Sequence, residues 1–175
     1  MTVLATPRLR LEPITDQHLL GLHTINGDPE VMHYITGKAE TLDETQAMVD
    51  RVKARWAEWG FSWWAFVDLA SGEVIGTGCI QYLARDMANP LEIGWRLRRD
   101  RQGQGYASEA ARAMAAFAFE TVRTALLLAV CNPANTASSR VMERLGMRYR
   151  GVERWYESDC ATYEMTRAEW LARGI

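Results

Sequence analysis

Residues 91–110 are LEIGWRLRRDRQGQGYASEA, and within this run a strand pattern gives way to a helix pattern across two glycines. The first seven residues alternate cleanly, so we expect a half-buried β-strand. One face would carry Leu91, Ile93, Trp95 and Leu97, and the other Glu92, Gly94 and Arg96. From Tyr106 the apolar residues follow a helical period instead, up to about Thr121. The run therefore predicts a strand, a glycine loop and a helix.

The glycine loop has the features of an anion site. At a helix start the backbone N–H groups lack internal acceptors, and the helix dipole favours negative charge. Gly103 and Gly105 let a ligand approach the backbone without a Cβ in the way. Residues 96–112 carry five arginines against Asp100 and Glu109, a local charge of +3. This pattern favours a polyphosphate ligand.

The motif matches neither of two common nucleotide loops. A dinucleotide fingerprint requires a third glycine where this chain has Ser108. A Walker A loop requires Gly-Lys-Ser/Thr, which does not occur in the chain. A glycine turn that only caps a helix would give the same residues, so the loop alone leaves both interpretations open.

The neighbouring segments predict a mixed sheet flanked by helices. Thr41 and Glu44 form a capping-box pattern before a helix to Trp59, which Gly60 ends. Gly27 and Pro29 should stop a shorter helix from Asp16. Further strands are predicted at 8–12, 61–68, 74–82, 125–130, 148–152 and 161–165, and further helices at 136–145 and 168–173. This order indicates an α/β or α+β fold in a single domain, residues 1–175.

Composition excludes several classes of protein. The net charge of −2 gives no reason to expect a nucleic-acid or membrane-surface binder. The longest apolar run has seven residues, from Ala125 to Cys131, where a membrane span needs roughly 18. The N-terminal residues do not resemble a signal peptide, so we expect a cytoplasmic protein. The three cysteines and three histidines form no metal-binding spacing, so no metal is expected.

Six segments together resemble the GNAT N-acetyltransferase superfamily. Residues 92–97 and 103–110 are similar to its acetyl-CoA loop, and residues 132–138 and 143–147 resemble its second cofactor motif. The opening Thr6–Leu11 and Asp28–Met32 are similar to the Rim-type branch, the ribosomal-protein N-terminal acetyltransferases. The resemblance implies one GNAT-like domain with a mostly antiparallel, splayed sheet of about seven strands.

The resemblance also implies how acetyl-CoA is held. The pyrophosphate would lie on the loop amides, the pantetheine arm would pair with the end of the fourth strand, and Asn135 would bond that arm. Asp100 departs from the usual Gln or Arg of the family, so Arg99 or Arg101 would supply the positive charge. The implied cofactor residues are Trp95, Arg96, Leu97, Gln102, Gly103, Gln104, Gly105, Tyr106, Ala107, Asn135 and Ser138.

Two residues are implied to be catalytic. An amine that attacks a thioester must lose a proton, and the leaving thiolate needs one. Glu92 matches the general base of parts of the family; an exposed carboxylate or an ion pair with Arg96 is the alternative. Ser138 matches the group that protonates the thiolate; a hydrogen bond at a helix start is its alternative.

We therefore expect an acetyl-CoA-dependent N-acetyltransferase for a primary amine, first of all a peptide or protein N-terminal α-amine. A polyamine or antibiotic acceptor, and a non-catalytic acyl-CoA-binding module, remain alternatives, and a homodimer is left open. Residues 27–41 and 153–161 each carry a charge of −2, which would attract a cationic amine. One aromatic pair, Trp63-Trp64 or Trp155-Tyr156, would line the acceptor pocket.

Overall fold

The computed structural model describes residues 1–174, which form an eight-stranded sheet flanked by helices. The sequence predicts this mixed architecture. The strands are β1 Leu4–Ala5, β2 Leu9–Pro13, β3 Trp63–Asp68, β4 Val74–Tyr82, β5 Leu91–Leu97, β6 Leu126–Cys131, β7 Arg148–Trp155 and β8 Ser158–Thr166. The helices are α1 Leu19–Asn26, α2 Pro29–Met32, α3 Leu42–Trp59, α4 Tyr106–Ala116, α5 Thr136–Leu145 and α6 Arg167–Ala172.

The sheet order is β1-β2-β3-β4-β5-β6-β8-β7, and every neighbouring pair except β5–β6 is antiparallel. The predicted mostly antiparallel sheet is therefore confirmed. The structure adds one strand to the seven predicted, the two-residue β1, which pairs with Leu11 and Arg10 at the sheet edge. Two residues are too short to show the alternation by which a strand is predicted.

The sheet splits between β5 and β6. These parallel strands pair only at Leu91–Leu127 and Glu92–Leu128, and residues 93–97 have no strand partner on the β6 side. The predicted splay thus begins at Glu92. Beyond it, β5 offers an open edge of unpaired backbone groups facing β6, which an extended ligand can pair with.

The helix boundaries follow from local capping. Thr41 and Glu44 form the predicted capping box of α3, and Gly60 ends that helix with a φ of 76°. Gly27 closes α1 as predicted, but Pro29 begins the one-turn α2, because proline suits the first position of a helix. The helix predicted to Thr121 is α4 up to Ala116 and continues as a π-helical turn.

The backbone of β4 lies very close to neighbouring side chains at Gly78, and this lets α4 pack against the sheet. A Cβ at Gly78 would lie 2.6 Å from Phe66 Cζ and 2.8 Å from Met114 Cε. Glycine at this position lets a fully buried Met114 pack directly over β4, next to the equally buried Phe66. On the other helical layer, α1 packs against α3 and β4. Both layers border the β5–β6 opening. Within residues 1–174, no helix is both long and apolar enough for a membrane span.

Candidate active site

One cavity of about 910 Å³ follows the opening between β5 and β6. It extends from Gly103 and Gly105 past Trp95 to Glu92, and it reaches Arg55 on α3. The splay creates this cavity because β5 and β6 part after two paired positions, Leu91–Leu127 and Glu92–Leu128. The glycine loop and the predicted general base thus lie in one continuous space.

The glycine loop is built to hold an anion. Gly103 and Gly105 have φ values of 73° and 84°, a left-handed conformation that side chains disfavour. No heavy atom lies within 4 Å of a Cβ built at Gly103, so a ligand can fill this space. Gly105 immediately precedes α4, whose first amides have no intrahelical acceptor. The Ser108 hydroxyl, in the first turn, is buried with no hydrogen-bond partner within residues 1–174.

The charges around the loop differ from the prediction. Arg99 pairs with Glu30 and lies 3.8 Å from Asp28, so its charge is directed away from the loop amides. Arg101 lies 3.5 Å from both Asp68 and Glu73. Arg99 and Arg101, which were expected to supply the positive charge, are thus paired with carboxylates and are not among the residues that line the cavity. The arginines that line the cofactor end of the cavity are Arg140 and Arg144, one turn apart on α5.

Most of the predicted cofactor residues line the cavity, and two do not. The Gln104 side chain donates a hydrogen bond to the Asp100 carbonyl at 2.8 Å. The Tyr106 side chain is 8% exposed and lies under the Arg8 guanidinium, 4.1 Å from the ring centroid. Only the backbone amides of these two residues remain available to a ligand. The lining residues from the predicted set are Trp95, Arg96, Leu97, Gln102, Gly103, Gly105, Ala107, Asn135 and Ser138.

Asn135 has a structural role that leaves its amide nitrogen available. Its Oδ1 accepts a hydrogen bond from the Ser138 backbone N–H at 3.3 Å and thereby caps α5. The Nδ2 group of the same side chain is the donor that a carbonyl of the pantetheine arm requires. Ser138 is half-buried and lines the cavity, and its helix-start contact uses the backbone amide rather than the hydroxyl.

Glu92 is buried between two neutral donors. Its side chain is 6% exposed, Gln81 Nε2 donates to Oε1 at 2.6 Å, and the Tyr156 hydroxyl donates to the same oxygen. Burial raises the pKa of this carboxyl, while the two hydrogen bonds partly oppose the rise. Neither alternative from the sequence holds, since the carboxylate is not exposed and Arg96 has other partners. Arg96 donates to Asn26 Oδ1 at 3.0 Å and lies 5.0 Å from the Trp63 ring centroid.

Tyr156 connects Glu92 to the β4–β5 loop. Its hydroxyl also accepts a hydrogen bond from the Ala84 backbone N–H at 3.1 Å. Burial, followed by the adjacent Glu92 carboxylate, raises the pKa of the phenol far above its usual range. Tyr156 occupies the turn between β7 and β8 with a φ of 52°, an uncommon conformation for a non-glycine residue. Backbone strain of this kind concentrates at functional sites.

Each predicted aromatic pair contributes one residue to the cavity. Trp63 and Tyr156 line it, whereas Trp64 and Trp155 do not. Trp64 is fully buried in the core, and Trp155 Nε1 donates to Glu153 Oε2 at 3.0 Å. Trp63 and Trp64 are adjacent residues of an extended strand and point to opposite sides, so this pair cannot enter one pocket together.

The acidic segments do not make the acceptor end of the cavity negative. Asp28 and Glu30 face Arg99, Glu153 pairs with Arg150 at 2.7 Å, and Asp159 lies 3.5 Å from Arg154. Arg99 and Arg150 therefore each compensate one charge from outside these segments, since Arg154 is already included in the −2 of residues 153–161. Instead, Arg51, Arg55 and Arg85 line this end, and no sequence motif indicated them. No group of three or more candidate metal ligands occurs within residues 1–174.

Comparisons with known proteins agree with this geometry. Residues 8–148 match the family model described as an acetyltransferase (GNAT) domain. The uncharacterized protein YkkB of Bacillus subtilis is 33% identical over 166 residues, which cover 93% of this chain and 95% of YkkB. The FsC-acetyl coenzyme A-N(2)-transacetylase of Aspergillus fumigatus is 31% identical, with 96% of this chain and 77% of that protein covered.

A solved structure shows the same architecture over almost the whole chain. The GNAT-family acetyltransferase from Bacillus anthracis superposes with a TM-score of 0.82 at 25% identity and covers 96% of this chain and 100% of its own. Together with the match of the family model, this agreement covers the glycine loop, the splay and α5. The chain therefore belongs to the GNAT acetyltransferase family and is an acyltransferase that uses acetyl-CoA as its co-substrate.

Proposed function

We propose that the protein transfers the acetyl group of acetyl-CoA directly to a primary amine, with Glu92 as the general base. One observation carries this proposal: a buried carboxyl lies where β5 and β6 part, in the same cavity as the glycine loop. The pKa of Glu92 is raised by burial, which brings its proton affinity closer to that of the amine it must deprotonate.

The proposed reaction forms one bond and breaks another. Acetyl-CoA supplies an activated thioester carbonyl. The acceptor nitrogen bonds to that carbon as the carbon–sulfur bond breaks, and the proton of the amine passes to Glu92, directly or through a water molecule. The hydroxyl of Ser138, which lines the cavity on α5, relays a solvent proton to the leaving sulfur and is left neutral, and Glu92 then releases its proton to solvent. Gln81 and Tyr156 hold the Glu92 carboxylate in one orientation throughout.

The cofactor contacts proposed here follow the cavity. The phosphates lie on the amides of Gln102 to Ala107 at the start of α4, where the dipole favours negative charge. Arg140 and Arg144 add the positive charge that the loop arginines do not provide. The pantetheine arm pairs with the open edge of Trp95 to Leu97 and receives a hydrogen bond from Asn135 Nδ2.

The first acceptor class to test is a peptide or protein N-terminal α-amine, as in the Rim-type branch that the sequence resembles. The second is a small-molecule amine. The relative from Aspergillus fumigatus supports nitrogen as the acceptor atom, since its name describes it as an N(2)-transacetylase. The three arginines at the acceptor end favour the second class.

The test is release of free CoA from acetyl-CoA in the presence of separate sets of peptides, amino acids, polyamines and aminoglycosides. We expect one set to accelerate thiol release at least tenfold, with acetyl-amine confirmed by mass spectrometry. Glu92→Gln is the matched control, because it preserves shape and hydrogen bonding but removes the base. If the protein binds acetyl-CoA and no set accelerates release beyond the Glu92→Gln rate, it is a non-catalytic binding module.

A further inference from the structure

Three arginines surround the acceptor end of the cavity. Arg51 and Arg55 lie one helical turn apart on α3, so their side chains share one face of that helix. Arg85 lies in the turn that follows β4. All three line the same cavity as Glu92.

These positive charges are not balanced by the protein. Within residues 1–174, none of the three forms a salt bridge with a carboxylate. Arg55 Nη1 donates to the neutral Gln81 Oε1 at 3.4 Å and lies 5.5 Å from the Trp59 ring centroid. Arg85 lies over the Tyr156 ring at 5.7 Å. Burial, and then repulsion from Arg85 and Arg51, lower the pKa of Arg55, so a bound anion would relieve the cluster.

The position of the cluster assigns it to the acceptor and not to CoA. Arg85 follows β4 at the end where Tyr82 pairs with Leu91, whereas the glycine loop follows the other end of β5. Five residue steps from Glu92 to Leu97 span about 17 Å at the usual rise of a strand. The phosphates of CoA on the loop therefore cannot neutralise these arginines.

The cluster lies close to the proposed site of chemistry. Gln81 contacts both Arg55 and Glu92, and Tyr156 contacts both Arg85 and Glu92. Arg55 and Arg85 are thus each separated from Glu92 by a single side chain. An anion that they hold must belong to the part of the acceptor next to its reacting amine.

The cavity also contains acidic groups, but they are already occupied. Glu40 accepts from Asn26 Nδ2 at 2.9 Å and from the Thr45 hydroxyl at 3.3 Å. Asp159 faces Arg154. A polyamine or an aminoglycoside would bring several positive charges to three unpaired guanidinium groups, which is electrostatically unfavourable.

The geometry points to an acceptor that is a small amine with a carboxylate or phosphate group beside its amine, held by Arg51, Arg55 and Arg85. This inference rests on the proposed acetyl transfer and names its substrate class. Guanidinium groups bind both anions through paired hydrogen bonds, so the two sources share one chemistry.

The experiment compares matched amines with and without the anionic group. Free α-amino acids are paired with the corresponding decarboxylated amines, and phosphoethanolamine is paired with ethanolamine. Binding is measured by calorimetry on protein saturated with CoA, so that the glycine loop is already filled, and turnover by thiol release from acetyl-CoA. We expect at least one compound that carries the anionic group to bind at least tenfold more tightly than its partner without that group, and the pair that responds identifies carboxylate or phosphate.

Arginine variants test whether this cluster causes the preference for the anionic group. Arg55→Gln and the solvent-exposed Arg85→Gln should each reduce the preference for the anionic partner at least fivefold, and Arg85→Lys should restore part of it. Arg112→Gln removes an exposed arginine on α4, outside the cavity, and should leave the preference unchanged.

Two outcomes overturn the inference: the partners that lack the anionic group, or spermidine, bind as tightly as the amines that carry it, or the preference survives both arginine variants. Tighter binding of peptides than of free amino acids would overturn the small-molecule assignment. Selective anion binding without thiol release would contradict the proposed function and leave only the anion-binding role of the three arginines standing. Thiol release that favours amines without an anionic group would support the proposed function and contradict the inference.

Discussion

Replacing Tyr156 by phenylalanine isolates the hydrogen bond that tunes the proposed base. The tyrosine hydroxyl donates to Glu92 Oε1, and phenylalanine keeps the ring under Arg85 while removing this donor and the acceptor of the Ala84 N–H. A donor to a carboxylate favours its ionised form, so its loss must raise the pKa of Glu92. The remaining donor to that oxygen is Gln81 Nε2 at 2.6 Å.

The size of the shift follows from the strength of the lost interaction. A hydrogen bond to a charged group contributes about 1.5–3 kcal/mol. One pKa unit corresponds to about 1.4 kcal/mol, so the pKa of Glu92 should rise by about 1 to 2 units. Because only the deprotonated carboxylate can accept a proton, the acidic limb of the rate profile should move to higher pH by the same amount. Well below that limb, kcat should fall about 10- to 100-fold, and it should recover at high pH.

The assay is a carboxyl carbon NMR titration of glutamate-labelled protein, with the Glu92 signal assigned by its absence from Glu92→Gln. The pH profile of kcat for the best acceptor is the second readout. Tyr149→Phe is the matched control, because it removes a hydroxyl from the exposed side of β7, away from the cavity. An unchanged titration of Glu92 in Tyr156→Phe, or a shift to lower pH, would refute the role given to Tyr156.

Three further predictions test the site by single changes. Glu92→Gln should lower kcat about 100-fold and leave acetyl-CoA affinity intact. The same variant should raise the thermal midpoint of unfolding near neutral pH, because an acid with a raised pKa opposes folding once it ionises. Gly105→Val should weaken acetyl-CoA binding more than tenfold in calorimetry, whereas Gly60→Val, at the same left-handed conformation in the α3 cap, should reduce stability alone. Asn135→Asp should keep the α5 cap, and therefore stability, but lose the amide donor and bind acetyl-CoA more weakly; Asn135→Ala should lose both. Equal acetyl-CoA affinity in the aspartate variant and the wild type would remove Asn135 from the cofactor contacts.

Much of the fold was accessible from the sequence because its signals are local. The α3 capping box, the Gly60 stop and the alternation of residues 91–97 each depend on neighbours within a few positions. The glycine loop is equally local, and the structure shows both glycines with positive φ. By contrast, β7 and β8 extend further than predicted, since Tyr156 and Glu157 turn the chain with positive φ and without glycine or asparagine.

The surroundings of Glu92 could not be predicted because they come from distant segments. Gln81 reaches Glu92 through the antiparallel register that pairs these two residues across β4 and β5. Tyr156 arrives from a turn 64 positions away, and Arg55 from a helix packed beside the sheet. The prediction that the acidic segments attract a cationic amine failed to include their partners for the same reason. Arg99, for example, lies far from its partner Glu30 in the sequence.

The arrangement of charge around Glu92 explains how a buried carboxyl can serve as a base. A directly bonded arginine would lower the pKa of Glu92 and make it a poor proton acceptor, whereas Gln81 and Tyr156 orient it as neutral donors. Arg85 is separated from Glu92 by the Tyr156 side chain, and its charge still lowers the pKa of Glu92 slightly. When an anionic group of the acceptor pairs with Arg85, this influence is compensated and the proton affinity of Glu92 rises. In the proposed reaction, the contact that selects the acceptor would therefore also strengthen the base once the amine is in place.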